Sequence, residues 1–318
     1  MRIVVLDGYT LNPGDNPWDE VAALGELTVY DRTPRDRIVE RARDAAIILT
    51  NKTPLSAETL GMLPNLEFIT VLATGYNVVD VAAARARGIP VSNVPVYGTE
   101  SVAQFVFALV LELCHHVAAH SASVERGDWS NSADFCYWNT PLIELAGKRM
   151  GIIGFGRIGR RAGELAHAFG MEVLASDVSP GRDPAYAPFA WRSIEEVFAE
   201  ADIVTLHCPQ TPENAGFVNA ALLGRMQRHA FFINTARGGL VNETDLADAL
   251  NRGAIAGAAV DVVSSEPIAP GNPLAGARNC LITPHIAWAT LAARRRLMKT
   301  TAENIAGFIQ GTPINVVN

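Results

Sequence analysis

The chain has 318 residues, 49% apolar and 19% charged, with a formal net charge of −7. That length fits two domains and that balance fits a sizeable hydrophobic core. Net acidity excludes non-specific nucleic-acid binding and adhesion to an anionic membrane face, so an anionic ligand has to be held by local donors.

Residues 1–98 alternate between strand and helix patterns. Strands are predicted at 2–6, 27–30, 45–50, 67–72 and 90–93, with helical patterns at 35–43 and 79–87 among them. That rhythm implies a parallel sheet covered on both faces. The N-terminus MRIVVLDG enters the first strand directly, without a signal peptide. Cys114, Cys136, Cys208 and Cys280 show no C-x-x-C spacing and read as reduced thiols. Both features point to the cytoplasm.

The turn-rich VPVYGT at 94–99 reads as a domain crossing. Ser101 and Gln104 form an S-x-x-Q capping box, and the helix that follows is apolar nearly all round. Such a helix is buried on more than one side, which predicts a homodimer. The apolar run at 102–119 is interrupted by Gln104, Glu112, His115 and His116, too often to span a bilayer. His116 and His120 stand four apart but lack a third ligand, so no metal site is expected. The stretch 127–145 holds two Trp, a Tyr and a Phe. It reads either as packed against a neighbouring domain or subunit or as touching substrate.

Residues 145–177 carry the strongest local pattern. An apolar strand at 149–153 leads into Gly154, Gly156 and Gly159 as G-x-G-x-x-G. A helical pattern runs to Phe169, Gly170 stops it, and a second strand at 172–176 ends on Asp177. This is a dinucleotide-binding fingerprint in full context. Gly154 turns the chain off the strand, Gly156 lets a pyrophosphate approach the backbone, and Gly159 lets helix pack on sheet. Amides near Arg157 and Ile158 face the phosphates with the positive end of the helix dipole. Asp177, 18 residues beyond Gly159, is placed to bond an adenosine ribose, which favours NAD over NADP. Arg182 and Ser179 are near enough to accommodate a phosphate.

Strands are then predicted at 202–207, 230–235, 255–260 and 280–283. A helix capped by Asn242 runs over 243–251, and a last one runs from Thr290 to about Gln310. Three polar residues follow strand ends: Arg237 in NTARGG, Glu266 in DVVSSEP and His285 in TPHIAWAT. In an open parallel α/β sheet ligands bind at those ends. The set suits a 2-keto acid: a guanidinium fork for carboxylate and carbonyl, an imidazole to move a proton, and a carboxylate to keep the ring charged. His207 ends its own strand near the cofactor region, without assigned chemistry.

The glycine fingerprint, NTARGG, SSEP and TPH together resemble the D-2-hydroxyacid dehydrogenases over essentially the whole chain. ATGYNVVD at 73–80, VPVYGTESVAQ and DFCYW look most like the branch of glycerate dehydrogenases and hydroxypyruvate reductases. The resemblance implies an NAD-dependent oxidoreductase, with NADP as the variant cofactor. Its favoured 2-keto acids are hydroxypyruvate and glyoxylate, reduced to D-glycerate and glycolate. It implies Arg237 for substrate binding, His285 as acid/base and Glu266 as its partner, with the substrate carboxylate on amides around Thr74, Gly75 and Tyr76. Cofactor contacts fall on Thr74, Arg157, Ile158, Asp177, Cys208, Thr235, Ala236, Asp261 and Ala287, beside the three glycines. The loop common to relatives, G-x-G-x-D, here reads ATGYN, a departure that bears on substrate preference.

The implied fold is α/β with two doubly wound parallel-sheet domains. A smaller flavodoxin-like substrate domain, 1–98 completed by 287–318, adjoins a Rossmann-type NAD domain, 99–286, with the active site in the crevice between them. Two other functions fit the same scaffold: an NAD(H)-sensing binding protein of the corepressor type, and phosphite or formate oxidation.

Overall fold

The computed structural model describes residues 1–318. The chain forms two compact units, Met1–Gly98 with Ala289–Asn318, and Thr99–Trp288. The later junction lies two residues beyond the 286/287 boundary read from sequence. The reason is local: the Ala287 amide is bonded to Asp261 and the Trp288 indole to the His285 carbonyl, so both residues stay with the second unit.

The first unit is a five-stranded, all-parallel sheet. Its strands are β1 (Arg2–Val5), β2 (Glu26–Val29), β3 (Ile47–Thr50), β4 (Phe68–Val71) and β5 (Val91–Ser92), in the order β2-β1-β3-β4-β5. This is the flavodoxin-like order. Every residue of β3 and β4 is buried, as a parallel sheet covered on both faces requires. The helix Leu291–Ile309 returns to complete the unit. Phe308 stacks on Phe68 at 4.6 Å, and the buried Asn304 amide donates to the Asn93 carbonyl at 2.9 Å. The helical pattern at 79–87 condenses to Val81–Ala86 because Asp80 caps it, accepting from the Ala83 amide.

The second unit is a seven-stranded parallel sheet. Its strands are β6 (Arg149–Ile153), β7 (Glu172–Ser176), β8 (Phe189–Trp191), β9 (Ile203–Leu206), β10 (Phe231–Asn234), β11 (Gly257–Val260) and β12 (Cys280–Ile282). The order β12-β11-β10-β9-β6-β7-β8 is the Rossmann order with one further strand at the edge, and β6 and β9 flank its topological switch point. β8 is absent from the predicted set: it is three residues long and follows Pro188, too short for a period to register. The helix after it, Ile194–Glu200, carries a true capping box between Ser193 and Glu196.

The capping box proposed at Ser101 does not cap. The helix runs Thr99–His115, so Ser101 lies inside it and is buried. Nine residues of this helix are buried, and most of them belong to a core cluster of the second unit, with Phe107 stacked on Phe169 at 5.1 Å. Most of its apolar character is therefore satisfied within its own unit. The unsatisfied surface comes later: after His116, in the left-handed region at φ 47°, a helix Val117–Glu125 leads into a segment where Trp129, Phe135 and Trp138 stand exposed. Those three side chains are thus not packed within this chain, whereas Tyr137 is half-buried with its hydroxyl on the Ser123 hydroxyl. His120 turns both ring nitrogens to the backbone, Nδ1 toward the His116 carbonyl and Nε2 toward the Asn139 amide. No single helix is long and apolar enough to cross a membrane.

Candidate active site

The glycine turn is built as its spacing requires. Gly154 has φ +91°, and a Cβ there would lie 2.6 Å from the Cys208 amide nitrogen at the end of β9. Gly159 has no room either, since a Cβ would collide with the Gly154 carbonyl. Gly156 differs: it precedes the helix Arg157–Ala168, and a Cβ there would meet nothing within 4 Å. That open space at a helix N-terminus, over the switch point, is where a pyrophosphate can approach backbone amides. Asp177 ends β7 with its carboxylate fixed, Oδ2 accepting from the Phe155 amide at 2.7 Å and Oδ1 from the Ser179 amide at 3.0 Å. Arg182 gives its carbonyl to Arg160 at 2.9 Å. At the end of β10 the buried Thr235 hydroxyl has no hydrogen-bond partner. An orphaned donor at the carboxyl end of the sheet fits a ligand amide or hydroxyl there. Open backbone, fixed carboxylate and orphaned hydroxyl together fit a dinucleotide.

His207 and Cys208 follow β9 beside this turn. Burial pushes the His207 imidazole down to about 4, and burial pushes the Cys208 thiol up. Both side chains are therefore uncharged at neutral pH, as a site for an anionic cofactor edge tolerates.

The three proposed catalytic side chains arise from the neighbouring strands β10, β11 and β12. Register aligns their ends, Asn234 with Val260 and Val260 with Ile282. His285 lies three residues past β12 with φ +55°, a conformation that a non-glycine residue holds only when its surroundings impose it. Asp261 imposes it. Its carbonyl accepts from the His285 amide at 2.8 Å, and its buried carboxylate accepts from the Thr283 hydroxyl at 2.6 Å and the amides of Ile286 and Ala287 at 2.9 and 2.8 Å. Asp261 is expected to contact cofactor. In the structure three of its roughly four acceptor positions serve the histidine loop.

His285 Nδ1 lies 2.7 Å from Glu266 Oε2, and both side chains are about one-third exposed. An ionised carboxylate only accepts, so Nδ1 carries the proton and Nε2 is the ring atom left for a ligand. Arg237 is exposed and forms no ion pair, and its guanidinium donates to the Ala236 carbonyl at 2.7 Å. Asn234 fixes the loop by accepting from the Ala236 amide at 3.0 Å and donating to the Arg237 carbonyl at 2.9 Å. Gly238 then packs so tightly on the Val263–Ser264 backbone that a Cβ would collide with it. This contact sets the Arg237 loop against the Glu266 loop. Asn234 and Gly238 were legible as Asn and Gly in NTARGG, but their partners were not.

In the first unit the loop after β4 holds Thr74, Gly75 and Tyr76. Thr74 is pinned through its hydroxyl to the Val94 carbonyl at 2.9 Å and through its own carbonyl to Asn93 at 2.7 Å. The amides of residues 74–76 make no hydrogen bond within the chain, so consecutive donors are available to an anion.

Residues 107–287 match the NAD-binding domain of the D-isomer specific 2-hydroxyacid dehydrogenases. The chain belongs to that family. It is 51% identical to the hydroxypyruvate reductase of Blautia hydrogenotrophica, covering 100% of both chains. It is 43% identical to the glycerate dehydrogenase of Methylorubrum extorquens, covering 99% of this chain and 98% of that one. The structure of the D-lactate dehydrogenase of Aquifex aeolicus with NAD and lactic acid is similar with a TM-score of 0.81, at 27% identity over 98% of this chain and 96% of that chain. This dehydrogenase is accordingly an oxidoreductase using a nicotinamide dinucleotide, with the two parallel-sheet units expected of the family.

Proposed function

We propose that this dehydrogenase reduces hydroxypyruvate to D-glycerate and glyoxylate to glycolate, and catalyses the reverse oxidations, with Arg237, Glu266 and His285 as its working side chains. The observation that carries the reading is the His285 Nδ1–Glu266 Oε2 pair at 2.7 Å, at one end of a sheet whose next strands bear an exposed Arg237. The 51% identity over full length to a hydroxypyruvate reductase supports the choice of substrate.

When bound, the reduced nicotinamide supplies the hydride for the keto carbon. His285, protonated and held by Glu266, gives its Nε2 proton to the carbonyl oxygen. Arg237 holds the substrate carboxylate and stabilises the oxyanion as negative charge builds there. In the first unit the amides of Thr74, Gly75 and Tyr76 are the donors offered to a substrate carboxylate. For the cofactor, Gly154, Gly156 and Gly159 with the Arg157 and Ile158 amides hold the phosphates, Asp177 takes the ribose, and Thr235 offers its orphaned hydroxyl. Asp177 selects NAD, because a carboxylate repels a 2′-phosphate.

The protein works as a homodimer in this reading. Val117, Trp129, Phe135, Trp138 and Leu142 are all exposed, and two-fold pairing is the commonest way to cover such a surface. Four free cysteines support a reducing compartment, the cytoplasm.

The test is NADH absorbance with hydroxypyruvate, glyoxylate, phosphite and formate, the last two with NAD. Turnover of hydroxypyruvate is expected. Tight NADH binding without turnover of any keto acid would overturn the reading in favour of sensing.

A further inference from the structure

Glu243 has no place in the chemistry described above, yet its carboxylate ties down the segment that carries Glu266. It is the first residue of the helix Glu243–Asn251 and is half-buried. Oε1 accepts from the Ser264 amide at 2.6 Å, while Oε2 accepts from the Ser264 hydroxyl and the Asn272 amide group, each at 2.8 Å. Ser264 and Asn272 are the two ends of the loop that contains Glu266. Asn272 is itself anchored: its Oδ1 caps the short turn Pro273–Gly276 by accepting from the Leu274 amide at 2.9 Å. One carboxylate therefore closes the loop as a staple.

The staple also joins two parts of the proposed site. Glu243 follows Arg237 by six residues, and between them Gly238 lies against the backbone of Val263 and Ser264. Ser264 is thus held from both sides, by Gly238 packing and by Glu243 hydrogen bonds, two residues before Glu266. The Glu266 side chain also reaches back to its own loop, its Oε1 accepting from the Val263 amide at 3.4 Å. Where Oε2 stands relative to His285 depends on where Ser264 is held.

We propose that Glu243 is a positioning residue for the proton-transfer pair: it fixes the 264–272 loop so that Glu266 stays on Nδ1 of His285. A helix-start acid with a purely structural role would stabilise the helix dipole and leave the histidine untouched. A positioning acid couples to the histidine through Glu266. The charged group on the His285 ring is Glu266; Asp261 holds the backbone around it, and its carboxylate bonds Thr283, Ile286 and Ala287, not the residues that Glu243 ties.

The inference rests on the His285–Glu266 reading above, so its test is read both with and without turnover. Four full-length proteins are compared: wild type, Glu243→Ala, Glu266→Gln and the double variant. The pH profile of kcat/KM for hydroxypyruvate reduction is measured, and the His285 ring titration is followed by NMR of labelled histidine, assigned by its loss in His285→Asn. Glu243→Ala should lower kcat/KM by about 10-fold and move both the kinetic limb and the ring titration to lower pH. The double variant should show no further movement beyond Glu266→Gln alone, because the staple acts through Glu266. Glu243→Asp, which keeps the charge but shortens the reach, should fall between wild type and Glu243→Ala. A Glu243→Ala profile that coincides with wild type, or shifts that add in the double variant, would overturn the proposal. Absence of turnover in wild type would instead strike at the assigned reaction, and the NMR titration would still decide the link from Glu243 to His285. Circular dichroism of each variant at 25 °C verifies that it is folded; should Glu243→Ala not fold, Glu243→Asp takes its place in the cycle, with a smaller shift in the same direction expected and a wild-type profile overturning the proposal.

Discussion

His285 and His207 stand past the ends of two strands of one sheet, in different surroundings. His285 faces the Glu266 carboxylate at 2.7 Å, and in the proposed reaction it gives up a proton during reduction. Replacing it by Ala should lower turnover by about 10²–10⁴-fold with NADH affinity nearly unchanged; stopped-flow rates and fluorescence titration measure the two. Glu266→Gln removes the anion beside the ring. Reduction needs the ring protonated, so the ring then loses its proton earlier as pH rises and the limb of kcat/KM should move to lower pH. Coincident profiles would deny Glu266 its partnership. Arg237→Lys keeps the charge and loses the planar fork, so KM and kcat should both worsen. His207, by contrast, is held by burial near 4 against an ordinary 6.5. Between those values the unfolded chain binds a proton that the folded chain refuses, so stability falls as pH drops from about 6.5 toward 4. His207→Gln should flatten that loss, as urea unfolding at pH 7 and pH 5 would reveal.

Among the elements, the strand, turn and helix from Arg149 to Ala168 are the most fully dictated by local sequence. Their bounds follow directly from an apolar run, three glycines and a helical period. The packing of that helix depends on Gly159, whose Cβ would collide with the Gly154 carbonyl. Gly159→Ala should therefore cost about 1–3 kcal/mol of stability through overpacking and displace the helix start. A lowered Tm together with weakened NADH binding is expected, and an unchanged affinity would mean that the phosphate cradle does not depend on this contact. β8 was not legible, because three residues cannot display a period. The start of the helix Thr99–His115 was misread, because S-x-x-Q is a short pattern that an interior position can satisfy by chance.

At the scale of the whole molecule, the exposed aromatic segment predicts association. Phe135→Ser with Trp138→Ser removes two of its largest exposed side chains. The wild type should sediment as a dimer at micromolar concentration and this variant as a monomer. A monomeric wild type would remove the homodimer from the proposed function.

The sequence by itself determined the two α/β units, the glycine turn with Asp177 at the next strand end, and the three polar residues past β10, β11 and β12. These rest on periodicity and turn chemistry, which act over a few neighbouring residues and can be read in one dimension. Only the tertiary structure decided how the site is held. Asp261 grips the His285 loop, Gly238 seats against Val263 and Ser264, and Glu243 closes the 264–272 loop. Each joins residues about 20 to 30 positions apart in sequence, a pairing that exists only once strand register brings the loops to one end of the sheet. The same holds for Trp129 to Trp138: aromatic composition marked the stretch, but whether it packed inward or faced outward depended on how fully the unit's own helices had already filled its core.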